Sequence, residues 1–224
     1  MFKLYSFLFF SALLYSQEMI TPIVMPQNLN TQKVALGQAL FFDTRLSKDN
    51  TIACASCHIL HEGGDDNLKF SFGINGQEGI INAPTVLNAV NNFHQFWDGR
   101  AKDLKQQVAG PIENPIEMGF NFPDLIVKLE QTDYAQRFRN IYDEGITKQT
   151  ISDAIAEYEK SLVTPNAPFD KFLLGDTDAI TQEQKEGYML FKSKGCISCH
   201  RGVNVGGNLF SKFGVVEDAK TSTL

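Results

Sequence analysis

Apolar residues recur at helical spacing in several parts of the chain, and nowhere do they alternate for long as a strand would. From Gln32 to Phe42 the apolar positions are Val34, Leu36, Leu40 and Phe41, with Thr31 as the expected cap. Tyr134, Phe138, Ile141 and Tyr142 share a second stripe. Ile151, Ala154, Ile155, Tyr158 and Leu162 form a third, introduced by the capping pattern Thr150-x-x-Asp153. A further helix is expected from Thr181, with Gln184 completing its box, to about Phe191. Between roughly residues 62 and 122 the chain is rich in Gly, Asn and Pro, and so long a loop in a compact domain wraps a cofactor or carries a site. The pattern predicts a mostly α fold with long loops.

The first sixteen residues stand apart. Lys3 gives a positive start, Leu4 to Tyr15 is almost uninterruptedly apolar, and Ser16 is a small residue before Gln17 and Glu18. The run is too short to span a bilayer and reads as a secretory signal peptide over 1–16. The mature protein is therefore expected in the periplasm, with no membrane span. The formal net charge of −6, without a basic run, argues against nucleic acid as a partner. A mildly acidic surface suits a small basic electron donor.

Four cysteines in an exported chain ordinarily suggest disulfides. Here both pairs are Cys-x-x-Cys followed at once by His: Cys54, Cys57, His58 and Cys196, Cys199, His200. Two thiols so spaced can each add to one vinyl group of a single porphyrin, and the adjacent His then supplies an axial nitrogen. A zinc site drawing on both pairs would bridge far more chain than a zinc ribbon does, and a thioredoxin-like pair needs no following His. Two covalently bound c-type haems are expected. "LGQALFF" (36–42) precedes the first motif and "EGYMLFK" (186–192) the second, so the chain reads as two related haem domains in tandem. The first covers 17–163 and a Pro-rich hinge covers 164–168. The second starts at 169 and is incomplete at 224.

Longer strings carry a resemblance. They are "LGQALFFDTRLS", "INAPTVLNA" (81–89), "QFWDGRAKDLKQQ" (95–107), "GPIENPIEMG" (110–119), "TPNAPFDKFLLGD" (164–176) and "GCISCHRGVNVGG" (195–207). With these in order, the chain closely resembles the bacterial di-haem cytochrome c peroxidases. The resemblance implies a mostly helical, usually dimeric periplasmic enzyme. It reduces hydrogen peroxide to water with electrons from a small cytochrome c or cupredoxin. It implies that the N-terminal haem, with His58 as proximal ligand, is the peroxide site, and that the C-terminal haem, with His200, receives electrons. Trp97 matches a tryptophan between the haems, Glu117 the distal acid, Gln107 a distal polar residue, and Asn82 a ligand of an interdomain calcium ion.

Two departures stand out. Ile74, in "SFGI", occupies the place where many members carry a distal histidine, and an aliphatic side chain cannot ligate iron. His61 and His94 are the only other histidines. The resemblance also places the distal methionine of the second haem, and the remaining calcium ligands, beyond residue 224. Two alternatives stay open: a di-haem electron carrier without peroxidase turnover, and the related oxidase type that modifies a partner protein's tryptophans.

Overall fold

The computed structural model describes residues 18–212; the expected signal segment lies outside them. Nine α-helices joined by turns and long loops make up the described residues, with isolated bridges but no strand. None of these helices is long and apolar enough to cross a membrane.

The first half is organised by α1 (Thr31–Phe41) lying against α7 (Lys148–Lys160). The helix cap is Asn30 rather than Thr31: its side chain accepts from the backbone of Gln32 and Lys33, as a freely rotating amide before the first turn can. Likewise α7 begins a turn before the expected cap, with Thr147 capping and Thr150 closing the box. The α1–α7 crossing is close because of Gly37. A Cβ there would lie 1.9 Å from the Ala154 carbonyl oxygen. Leu36, Leu40 and Phe41 are thereby sealed against Ala154, Ile155 and Tyr158 in the main core. Each such large side chain contributes roughly 1.5–3 kcal/mol. At the rim, Asp153 accepts from Lys33, Lys105 and the Tyr142 hydroxyl at 2.6–3.0 Å. Burial pushes this carboxyl up, but those donors outweigh it and hold it at about 2.

Short α2 (Cys54–Cys57), α3 (Leu104–Gln107) and α4 (Ala109–Glu113) border the long loops, and α5 (Phe122–Glu130) and α6 (Tyr134–Arg139) close the core. The stripe on Tyr134 and Phe138 is buried as expected, but α6 ends at Arg139, before Ile141.

In the second half, α8 (Pro168–Leu173) and α9 (Gln182–Ser193) carry a smaller cluster of Ile20, Tyr188 and Ile197 with Phe169, Phe172 and Phe191. Helix α9 starts as expected from Thr181 with Gln184 in its box. Residues 18–23, grouped by the sequence reading with the first domain, lie on this cluster. Gly202 donates to the Met19 carbonyl (2.7 Å), Ile23 to Asp170 (3.0 Å) and the Tyr188 hydroxyl to Glu18 (2.6 Å). Ile20 finds its apolar cover there.

Candidate active site

The loops between α2 and α5 enclose, with α7, a cavity of about 250 Å³. Cys54, Cys57 and His58 form part of its wall, and Trp97, Gln107, Glu117 and Asn82 all line it. The structure thus brings together every candidate residue named for the first half. Its remaining walls are largely apolar, among them Val86, Leu104, Val108, Ile112, Met118 and Ile155.

Helix α2 is one turn long, so both thiols project from the same short stretch, and the His58 N–H donates to the Cys54 carbonyl at 3.0 Å. The His58 ring places Nδ1 3.2 Å from the Gly64 carbonyl oxygen. A carbonyl only accepts, so Nδ1 carries the proton and Nε2 keeps its lone pair. Burial holds the His58 imidazole below its ordinary pKa, against the Gly64 hydrogen bond, which favours the neutral ligand form. Burial, and after it the Glu159 charge, pushes the Cys54 thiol up to about 12. Burial, and after it Asp66, pushes Cys57 to about 11. Burial thus favours the neutral form of both thiols. Two neighbouring neutral thiols, an imidazole with a free Nε2 and apolar walls fit a covalently attached haem.

Glu117 sits in a turn knit by Asn114. The Asn114 side chain donates to Glu117 Oε1 (2.5 Å), and its carbonyl accepts from Glu117 and Gly119. A second loop braces this turn. Ile74 donates its N–H to the Glu117 carbonyl (2.8 Å), and a Cβ on Gly73 would lie 2.0 Å from the Ile116 carbonyl oxygen. The Ile74 side chain is buried against Gly119. Burial raises the Glu117 pKa, opposed by the Asn114 hydrogen bond and by Arg100. Gln107 ends α3 with its side chain at the cavity. Trp97 is part-exposed, its indole N–H donating to the Asn82 carbonyl at 3.2 Å. Asn82 offers one side-chain amide oxygen, against the six to eight oxygens that calcium takes. No group of three His, Cys, Asp or Glu able to hold a metal occurs among the described residues. His61 is exposed beside Glu62, His94 packs between Phe93 and Phe210, and neither lines the cavity.

The sequence reading missed two residues here. Asn114 lies inside a quoted string, and only the folded turn reveals its contact with Glu117. Glu159 lines the cavity from α7 with its carboxyl buried. The four-residue spacing of Ile151, Ile155 and Glu159 puts the acid on an apolar helix face, and was available as a signal.

At the second motif the His200 N–H donates to the Cys196 carbonyl (2.9 Å), and Nδ1 lies 3.3 Å from the Val205 carbonyl. Cys196, Cys199 and His200 are exposed.

Residues 31–178 match the family model for di-haem cytochrome c peroxidase. The cytochrome c peroxidase Ccp of Escherichia coli is 50% identical over 208 residues, covering 91% of this chain and 44% of that protein. The cytochrome c551 peroxidase of Nitrosomonas europaea is 47% identical over 210 residues, covering 92% of this chain and 62% of its own. Among solved structures, a MauG-like protein associated with microbial copper homeostasis superposes with a TM-score of 0.71 at 24% identity, over 87% of this chain and 61% of that one. The chain thus spans about half the length of the curated relatives it matches.

Proposed function

The chain belongs to the di-haem cytochrome c peroxidase family, and we propose that it reduces hydrogen peroxide to water with electrons from a small periplasmic redox protein, a cytochrome c or a cupredoxin. Two c-type haems are attached at Cys54/Cys57 and Cys196/Cys199, with His58 and His200 as their axial ligands. Export by the 1–16 segment supplies the compartment in which such attachment takes place. The observation that carries the reading is the single cavity holding both thiols, the imidazole and the buried acid Glu117.

When bound, the haem supplies an iron that binds peroxide and passes electrons to it. The protein does the rest. His58 presents Nε2 because Gly64 holds the proton on Nδ1. Glu117 takes a proton from one peroxide oxygen and delivers it to the departing one, and Asn114 fixes its carboxyl for that transfer. Gln107 hydrogen-bonds the substrate in the same cavity. Trp97, tied to the Asn82 carbonyl on the cavity wall, couples the two haems.

The test is steady-state peroxide consumption with a reduced small cytochrome. Glu117→Gln keeps the shape and removes the base, so turnover should fall by about 10²-fold or more with haem content unchanged. A carboxylate base fails as pH falls through its pKa. Burial raises that pKa, so the acid limb of the rate profile should lie above the ordinary glutamate value of 4.5 and vanish in the variant. Near-normal turnover there assigns the proton transfer elsewhere.

Ile74 packs on Gly119, and neither His61 nor His94 lines the cavity, so no second described histidine is placed to ligate a haem bound there. Electron paramagnetic resonance of the oxidised protein should show a high-spin N-terminal haem that reacts with peroxide without pre-reduction. A bis-histidine signal from that haem would contradict this.

A further inference from the structure

Glu159 is 6% exposed, and its Oε2 has no hydrogen-bond partner among the described residues. It shares its helix face with Ile151 and Ile155 and lines the cavity with Ile155. Burying a carboxyl without a partner costs roughly 1–3 kcal/mol, and a leucine would pack the same face without that loss. The main core already supplies the packing of α7, so the acid is not needed for it.

No neighbouring charge neutralises it. Of the elements packed on α7, α1 carries one charged side chain, Lys33, and α3 carries Lys105; both are held by Asp153. The Ala89–Asn91 turn carries none. On α7 itself, Lys160 pairs with Glu157. Among titratable groups, the Cys54 thiol and the Tyr158 hydroxyl feel its charge, and the thiol becomes an uncharged thioether once a haem is attached. What Glu159 borders is therefore the space of the attached group.

We propose that Glu159 is a charge-compensating acid of this cavity, its carboxyl exchanging a proton with solvent as the group attached at Cys54 and Cys57 gains or loses an electron. This rests on the haem reading above. On reduction, one electron passes from the small redox protein to the group, and one proton passes from water to the Glu159 carboxylate. On oxidation by peroxide both leave, and the only bond made or broken at Glu159 is its O–H. The cavity reaches solvent beside exposed Phe72 and Ile81, which gives the proton a route. Burial alone pushes the Glu159 pKa to about 8, within reach of such coupling.

The experiment is a redox titration followed by haem absorbance, on the full chain, from about pH 6 to about pH 9. Haem content is measured first, and the N-terminal wave is identified by its loss in a Cys54→Ala/Cys57→Ala variant. In the wild type the midpoint of that wave should fall as pH rises, toward a limit of one proton per electron. Glu159→Gln should flatten this part of the course, and Glu159→Leu, a second uncharged variant, should do the same. Glu159→Asp should restore it at a shifted pH. An identical pH course in the wild type and both uncharged variants overturns the proposal. A protein without haem overturns the cofactor reading, and this inference with it.

Discussion

At the first Cys-x-x-Cys-His segment, His58 donates its N–H to Cys54 and leans Nδ1 on Gly64; at the second, His200 does the same with Cys196 and Val205. Backbone and tautomer agree, and the surroundings do not. The first segment forms a wall of a cavity closed by α7, α3 and the Glu117 turn, whereas the cysteines and histidine of the second are exposed. The preceding helices repeat the contrast. Leu40 is fully buried and its counterpart Leu190 is 57% exposed; Gly37 is pressed on α7, and nothing described lies within 4 Å of a Cβ on Gly187. Local sequence sets the ligand geometry, and the opposing helix makes the pocket.

The largest effect that tests this contrast comes from removing the attachment points. Cys54→Ala/Cys57→Ala should leave one haem and empty the first cavity. The apolar walls that the haem covers would then face water, at roughly 1.5–3 kcal/mol for each large side chain uncovered. Cys196→Ala/Cys199→Ala should also leave one haem. Cys196 and Cys199 are exposed among the described residues and border no cavity there, so the loss should be the smaller of the two. Denaturant midpoints of the two variants, with haem content measured alongside, make the comparison. Equal losses would mean that burial does not distinguish the sites.

This division also explains how far the sequence could be read. Helix α9 was legible to its capping box, because Thr181 and Gln184 act within one turn. The caps of α1 and α7 were misplaced, since Asn30 and Thr147 compete with nearby residues of similar chemistry. The two Cys-x-x-Cys-His motifs stood out because each is written in five consecutive positions. Glu117, Gln107, Trp97 and Asn82 came only from resemblance, since loops that fold over a cavity leave no periodic trace. Asn114 and Glu159 went unnoticed. One acts through a turn, and the other looks like a solvated charge until α1 and α3 are packed around it. The placement of residues 18–23 on α9 was illegible for the same reason: it depends on Ile20 finding an apolar surface far along the chain.

The smallest effect is the most direct probe of the two halves, because it makes one substitution at matching places. In Gly37→Ala the new methyl group meets the Ala154 carbonyl oxygen and the Tyr158 Cβ, both under 3.0 Å and on a rigid helix. Either α1 or α7 must shift, which should destabilise the protein by about 1–3 kcal/mol. In Gly187→Ala nothing described is met, and the position lies in the middle of α9. Alanine restricts the unfolded chain and favours the helix, so the second substitution should stabilise by about 0.5–1 kcal/mol. Urea denaturation of the two variants gives opposite signs if the opposing helix is what separates the halves. A destabilisation of Gly187→Ala matching that of Gly37→Ala would show that the α9 face is covered in the folded protein as closely as α1 is by α7.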